Sequence, residues 1–181
     1  FTTELAGPCY SARKAWNLSP DQEVNWQVVV VNRPPEVVRE VIGKWPFVRL
    51  LIVNTPDECV IGGQKEQVEA AVKALGCEAV FLEGIVTVHC DAAQPVAEAY
   101  KELHVFPVVP PEDIRFYSCA LGRSHDLTSD SAASSILQQV LTGFDFTAAI
   151  NQAYEDGVRI FLEMGPQASC TRMIRRILDT K

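Results

Sequence analysis

The fold of this chain is decided by the stretch WQVVVVNRPPEVVREVIGKWPFVRLLIVN, which runs from Trp26 to Asn54. It opens with a β-branched run that ends at turn residues, a pattern typical of a buried strand. Two adjacent prolines then suit the start of a helix, and the apolar residues that follow fall on one helical stripe until Gly43 ends it. A second apolar run starts at Val48. The stretch therefore predicts a strand, an amphipathic helix and a second strand.

Residues 55–82 continue with a strand, a helix and a strand. The turn TPDE leads into the run CVIGG, the segment QKEQVEAAVKALG carries apolar residues at helical spacing up to Gly76, and AVFL is a final apolar run. The complete order is the ferredoxin-like βαββαβ pattern. We expect a four-stranded antiparallel sheet with both helices on one face, because each helix has a single apolar stripe to bury.

The second half of the chain predicts helices and strands in a less regular order. The run GIVTVHC alternates and predicts a strand that ends at His89. A polar stretch over residues 123–135 is interpreted as a loop or the start of a helix. The remaining predictions are a helix over PVAEAYKELH, a strand over IRFYSCALG, a helix over AAINQAYEDG, a strand over VRIFLEMG and a closing helix over SCTRMIRRIL.

The composition argues against several classes of function. With 181 residues, 48% of them hydrophobic, the chain is expected to have one main core. A net charge of −7 argues against nucleic-acid binding, and the one basic cluster is local, at residues 172–176. No apolar run reaches the roughly 18 residues of a membrane span. The six cysteines form no C-x-x-C pair and the first residues do not resemble a signal peptide, so we expect reduced thiols, no metal site and a cytoplasmic location.

His89 is a candidate general base, because an imidazole where a strand opens into a loop can take up a proton. A hydrogen-bonded structural histidine remains the alternative. Cys90 should point to the opposite face of the strand and be inert, and His104 and His125 are expected at the surface. The pair Gly62–Gly63 lacks the following Lys and Ser or Thr of a phosphate-binding loop, so we interpret it as a strand-to-helix turn.

Four motifs in order give the chain a resemblance to a known family. They are LLIVNTPDECVIGG, VTVHC, FYSCALG and GFDFTAAINQAYEDGVRIFLEMGPQASC. This succession resembles the C-terminal half of the malonyl-CoA:acyl carrier protein transacylase family, the acyltransferase domains of fatty-acid and polyketide synthases. The segments NTPDECVIGG, HC and FTAAINQAYEDG are most similar to the acyltransferases of polyunsaturated fatty acid synthases and related glycolipid synthases. The resemblance extends over nearly the whole chain from about Trp16.

The resemblance implies an α+β chain that forms part of a larger domain. In that family a ferredoxin-like small subdomain is inserted into an α/β-hydrolase-like large subdomain, which carries the nucleophilic serine in a G-H-S-x-G motif. Residues 25–84 would be the small subdomain, residues 1–24 a lead-in from the large one, and residues 85–181 the C-terminal part of the acyltransferase domain. No G-x-S-x-G occurs in the chain, so the serine is expected upstream, in a longer protein from which this chain is cut.

Two positions carry over to the family's active site. His89 falls on the catalytic histidine, although its neighbours Val88 and Cys90 depart from the usual A-F-H-S context. Its role would be to take the proton of the serine hydroxyl and return it to the leaving CoA thiolate or the attacking carrier-protein thiol. Asp145 falls at the place whose main chain orients that histidine. The arginine that binds a malonyl carboxylate in that family is also expected upstream, so these residues do not identify the acyl group.

The resemblance therefore predicts part of an acyltransferase that moves an acyl group, expected to be malonyl, from CoA to an acyl carrier protein in polyunsaturated fatty acid or polyketide synthesis. Its partners would be the carrier protein, acyl-CoA and the rest of a multidomain synthase. The chain itself should hold no cofactor, since the phosphopantetheine belongs to the carrier protein, and in isolation it should be inactive. The alternative is a stand-alone ferredoxin-like module that binds a ligand or a protein and performs no chemistry.

Overall fold

The computed structural model describes residues 1–19, 21–84, 86–179 and 181. These residues form a mixed sheet of five strands, a two-stranded hairpin and surrounding helices. The strands are β1 (Trp26–Val31), β2 (Val48–Thr55), β3 (Glu58–Gln64), β4 (Ala79–Leu82), β5 (Phe116–Ser118), β6 (Arg123–His125) and β7 (Phe144–Asp145). The helices are α1 (Tyr10–Ala15), α2 (Pro35–Ile42), α3 (Lys65–Leu75), a 3-10 helix (Asp91–Val96), α4 (Ala97–Glu102), α5 (Ser129–Thr142), α6 (Phe146–Glu155) and α7 (Ser169–Leu178).

The sheet has the strand order β4–β1–β3–β2–β7. β1 pairs antiparallel with β3 and β4, and β2 pairs antiparallel with β3. With α2 and α3 at the predicted places between the strands, this is the βαββαβ arrangement expected from the sequence, and the α+β class is confirmed. The short β7, which the sequence did not predict, adds to β2 in parallel through the pairs Ile52 with Phe144 and Val53 with Asp145.

One buried cluster joins both predicted helices to the same face of the sheet, as expected. It takes alternate side chains from the strands, because successive residues of a strand point to opposite faces. The cluster comprises Val29, Val31, Val38, Ile42, Val48, Val53, Cys59, Ile61, Val68, Ala71 and Leu75.

The opposite face of the sheet is covered by α1 and by the segment that follows β4. This second buried cluster comprises Cys9, Ala12, Val28, Leu51, Val60, Cys90 and Ala92. Residues on both sides of the predicted ferredoxin-like subdomain thus pack against its sheet. The subdomain boundaries after residues 24 and 84 remain predictions.

The interpretation of Gly62–Gly63 as a strand-to-helix turn is wrong. Both glycines lie inside β3, and α3 begins directly after it. A methyl group on Gly63 would stand 1.8 Å from the carbonyl oxygen of Phe47, and one on Gly62 would stand 2.6 Å from Cδ1 of Leu51. Glycine is required at Gly63 because the main chain of Phe47 approaches β3 too closely for a side chain, whereas at Gly62 the end of the Leu51 side chain would have to move.

Two predicted strands in the second half of the chain are wrong or too long. Residues 86–90 form bends in place of the strand predicted up to His89, and the part of that prediction on Ile85 lies outside the described residues. The strand predicted over residues 114–122 is reduced to the three residues of β5, which pair with β6.

The strand predicted over VRIFLEMG is absent from the described structure, because a strand requires a neighbour for its main-chain hydrogen bonds and residues 158–164 have none here. The alternation of a strand face is nevertheless visible. Ile160, Leu162 and Met164 are 79%, 84% and 94% exposed, whereas Phe161 and Glu163 are half-buried. An apolar row of side chains therefore faces solvent at this segment.

The helices of the second half follow the prediction more closely. α6 and α7 occur where expected, while the helix predicted over residues 95–104 is divided into the 3-10 helix, which contains Pro95, and α4. The polar stretch contains the start of α5, set by a capping box between Thr128 and Ser131. In the described part of the chain, no helix is long and apolar enough to cross a lipid bilayer.

Candidate active site

His89 lies in a short loop that is fixed on both sides by hydrogen bonds. Before it, the amide and the hydroxyl of the buried Thr87 both donate to the carbonyl oxygen of Leu5, at 2.7 and 3.0 Å. After it, the amide of Cys90 donates to the carbonyl oxygen of Val140 at 2.9 Å. His89 itself has a φ of +68°, which is uncommon for a residue with a side chain. The surrounding contacts therefore hold the loop in a conformation that histidine would not adopt by preference.

The imidazole of His89 is held by the last turn of α5. Its Nδ1 lies 2.9 Å from the carbonyl oxygen of Gln139. A carbonyl oxygen only accepts hydrogen bonds, so this contact requires the proton on Nδ1 and leaves the lone pair on Nε2. The ring also packs against the Phe144 ring in a T-shaped arrangement, with centroids 5.3 Å apart and planes at 80°. These two contacts define both the orientation and the tautomer of the neutral side chain.

Burial lowers the pKa of His89 below its ordinary value, and the bond to the Gln139 carbonyl opposes this shift in part. Burial has this effect because removal from water disfavours the charged imidazolium. The side chain is consequently neutral near pH 7, with Nε2 available as a base. A neutral histidine of defined tautomer is the form that general base catalysis requires.

The main-chain carbonyl bonded to the imidazole in this structure is that of Gln139, while the main chain of Asp145 was expected to orient the ring. The carboxylate of Asp145 caps α6 by accepting a hydrogen bond from the amide of Ala148 at 2.9 Å. Every residue type carries a main-chain carbonyl, so nothing in the identity of Gln139 indicated its contact with His89. The orienting role of Asp145 remains a prediction without an observed contact to the imidazole.

Cys90 is 4% exposed and belongs to the second buried cluster, on the face of the sheet opposite α2 and α3. Burial raises the pKa of its thiol to about 11, so the reactive thiolate is not available near neutral pH. This agrees with the expectation that Cys90 is inert. The reason differs from the one predicted, because residues 86–90 are not a strand and the thiol is buried by the packing of the loop.

An ion pair joins the segment after His89 to the sheet. Arg49 of β2 donates from Nε and Nη2 to the two carboxylate oxygens of Asp91, at 2.8 and 2.9 Å. The same guanidinium donates from Nη1 to the carbonyl oxygens of Pro46 and Val48. The start of the 3-10 helix, two residues after His89, is thereby tied to β2.

The other candidate groups are occupied elsewhere. The hydroxyl of the buried Ser118 lies 2.5 Å from that of Ser135. His104 and His125, expected at the surface, are half-buried, and Nδ1 of His104 is bonded to the carbonyl oxygen of Tyr100. The cysteines are all free thiols, of which Cys9, Cys59 and Cys90 are buried. No group of three or more potential metal ligands lies together within the described ranges.

Comparison with known proteins gives related sequences and structures but no match to a protein-family profile. The chain is 24% identical to a polyunsaturated fatty acid synthase from Thraustochytrium sp., over 92% of this chain and 9% of that protein. It is 29% identical to the malonyl CoA-acyl carrier protein transacylase of Escherichia coli strain K12, over 70% of this chain and 42% of that enzyme. The crystal structure of a malonyl-CoA:acyl carrier protein transacylase from Xanthomonas oryzae superposes with a TM-score of 0.77 at 21% identity, over 94% of this chain and 55% of that one.

In sequence and in fold, the chain is similar to part of an acyltransferase domain. Its homologues are the acyltransferase domains of polyunsaturated fatty acid synthases and polyketide synthases and the malonyl-CoA:acyl carrier protein transacylases. The chain spans less than half the length of the Escherichia coli transacylase and about a tenth of that of the large synthases.

Proposed function

We propose that this chain supplies the general base of a serine-dependent acyltransferase, which moves an acyl group from CoA to an acyl carrier protein. The observation that carries the proposal is the state of His89: neutral, held through Nδ1 by Gln139, and with the lone pair on Nε2. The relation to malonyl-CoA transacylases supports malonyl as the acyl group. The nucleophilic serine is proposed to lie outside residues 1–181, because none of the serines here stands in a G-x-S-x-G motif.

In the proposed reaction, Nε2 of His89 takes the proton of the serine hydroxyl as the serine oxygen attacks the thioester carbonyl. The carbon–sulfur bond breaks, and the CoA thiolate leaves with the proton returned by the imidazolium. In the second half, His89 deprotonates the phosphopantetheine thiol of the carrier protein, which attacks the serine ester. The imidazolium then protonates the released serine oxygen. The bond to Gln139 keeps the ring in place while Nε2 gains and loses the proton.

The partners follow from this reaction. The chain would act with acyl-CoA, with an acyl carrier protein and with the remainder of the acyltransferase domain, in a multidomain synthase of polyunsaturated fatty acids or polyketides. The large synthases among its relatives support that setting. A cytoplasmic location and the absence of a cofactor of its own are part of the proposal.

The direct test replaces His89 in the complete protein that contains this chain. His89→Ala should lower the rate of self-acylation by malonyl-CoA on the order of a hundredfold to ten-thousandfold, the usual range for the loss of a general base. His89→Asn is the sharper variant. Asparagine tolerates the left-handed backbone of this position, and its amide can donate to the Gln139 carbonyl, but it cannot accept the serine proton. Its rate should fall equally, while the melting temperature changes by a few degrees at most.

Cys90→Ala provides the matched control, because Cys90 is adjacent to His89 but buried away as a neutral thiol. Its self-acylation rate should remain near that of the unmodified protein. Unchanged acylation in both His89 variants would mean that the histidine is structural, and the proposal that this chain supplies the general base would be rejected.

A further inference from the structure

Gly143 and Phe144 form a junction between α5 and β7 that lies directly against His89. Gly143 has a φ of +71° and a ψ of −161°, a conformation that residues with side chains adopt only under strain. A methyl group on Gly143 would stand 2.0 Å from the carbonyl oxygen of Leu51 and 3.1 Å from that of His89. The main chains of β2, the junction and the His89 loop therefore meet where only a hydrogen atom fits.

The same junction controls both groups that hold the imidazole. The amide of Gly143 donates at 3.1 Å to the carbonyl oxygen of Gln139, the oxygen that also accepts from Nδ1 of His89. Phe144, whose ring packs against the imidazole, is placed by its pairing with Ile52 of β2. A displacement of the junction would move the hydrogen-bond acceptor and the packing partner of His89 together.

We propose that the Gly143–Phe144 junction is a positioning element that fixes His89 in its Nδ1–H tautomer and thereby keeps Nε2 basic. This inference rests on the proposed function of His89, but it concerns residues to which that proposal assigns no part in proton transfer or acyl binding. The junction transfers no proton itself. It acts through the imidazole, because a free neutral imidazole exchanges its proton between both nitrogens unless one of them is held by a partner.

Gly76 offers a control for the replacement of a glycine that has a positive φ. It ends α3 with a φ of +56°, and a methyl group on it would have no atom within 4 Å. Alanine at either position must adopt a positive φ that it disfavours. The backbone cost is larger at Gly143, because its ψ of −161° lies in a region that is essentially restricted to glycine, whereas Gly76 has the ordinary left-handed conformation. Only at Gly143 would the added methyl group also press on the main chain of His89 and Leu51.

The first experiment measures the nitrogen-15 chemical shifts of His89 in the 181-residue chain, at a pH where the side chain is neutral. The unmodified chain and the Gly76→Ala variant should show a protonated Nδ1 and an unprotonated Nε2. In Gly143→Ala, both shifts should move towards the averaged values of a free imidazole. A folded Gly143→Ala chain with unmodified shifts would overturn the proposal.

Phe144→Leu keeps the test decisive if Gly143→Ala does not fold. It retains the backbone of β7 and a somewhat smaller apolar side chain, but it removes the aromatic ring that packs against the imidazole. Its His89 shifts should move in the same direction as those of Gly143→Ala, by a smaller amount. Unmodified shifts in Phe144→Leu would then reject the positioning role of the junction.

The second experiment measures self-acylation in the complete protein. Gly143→Ala should lower kcat on the order of tenfold to a hundredfold with KM for malonyl-CoA unchanged, because misplacement of a catalytic group acts on the chemical step. Gly76→Ala should change neither. An effect on KM alone would contradict the proposal. If His89→Ala acylates normally, the proposed function fails, whereas the nitrogen shifts still decide whether the junction positions the ring.

Discussion

The run VVVV in β1 and the run VRIFLEM after α6 are both apolar and rich in strand-forming residues, yet only the first is a strand. Val29 and Val31 of β1 are fully buried, with β3 and β4 on either side and helices above. Ile160 and Leu162 of the second run are exposed. The difference shows that an apolar run forms a strand only where a neighbouring strand pairs with its main-chain hydrogen-bonding groups and a second layer covers its side chains.

The largest expected effect on stability lies in the sheet. Ile61 is fully buried in β3, which is flanked by β1 and β2, and it belongs to the cluster under α2 and α3. Ile61→Ala should lower the free energy of unfolding by about 2–5 kcal/mol, because it removes buried methyl groups and leaves a cavity. Urea unfolding followed by circular dichroism measures the change. Val80→Ala in the edge strand β4, at a side chain that is 61% exposed, is the control and should change stability by about 0.5 kcal/mol or less.

If Ile61→Ala and Val80→Ala lowered the free energy of unfolding by similar amounts, the buried cluster under α2 and α3 would not be the main source of the stability of the sheet.

The second half of the chain should differ from the sheet in the way its stability depends on pH, through His89. Since burial lowers the pKa of His89, the unfolded chain binds this proton more readily than the folded chain just below the ordinary histidine pKa of about 6.5. The His89 contribution should therefore make the free energy of unfolding fall as the pH is lowered from about 7 through that range, and the loss should level off below the folded-state pKa. His89→Asn should remove this part of the pH dependence.

Urea titrations at several pH values between about 5.5 and 7 compare the two chains. The other histidines are present in both chains, so the difference between the slopes reports His89 alone. Parallel slopes would show that the environment of His89 does not disfavour its charged form.

The sequence predicted the regions whose structure is determined by nearby residues. The order and the ends of the elements from β1 to β4 follow from local patterns, such as the prolines before α2 and Gly76 after α3. The predictions were wrong where the structure of a segment depends on contacts with residues distant in the sequence. The close approach of Phe47 to Gly63, and the absence of a strand at residues 158–164, both depend on which segment lies alongside.

The candidate site was predicted only in part for the same reason. A resemblance between motifs indicated His89, whereas its left-handed backbone, its bond to the Gln139 carbonyl and the close approach of Gly143 to its main chain follow from the meeting of α5, β2 and the His89 loop. Every residue has a main-chain carbonyl, so the sequence does not indicate which one contacts His89. That contact is identified only when the position of α5 relative to His89 is known.

The smallest expected effect on stability is at the exposed row. Leu162→Ser and Met164→Ser should change the free energy of unfolding by about 0.5 kcal/mol or less, because their side chains bury little surface in this chain. They should, however, reduce self-association at high concentration, since an exposed apolar row favours contacts between copies. Sedimentation velocity measures the association. A loss of stability comparable to that of Ile61→Ala would mean that these side chains are buried within this chain.

Intact-mass spectrometry after incubation with malonyl-CoA tests most directly the claim that this chain holds the base and not the nucleophile. The 181-residue chain alone should gain no acyl group, because a histidine without an activated hydroxyl forms no serine ester. The complete protein should gain one malonyl group, located by peptide mapping on a serine outside residues 1–181, and this addition should be lost or strongly slowed in His89→Asn. A stable acyl adduct on any serine of the 181-residue chain would contradict the account.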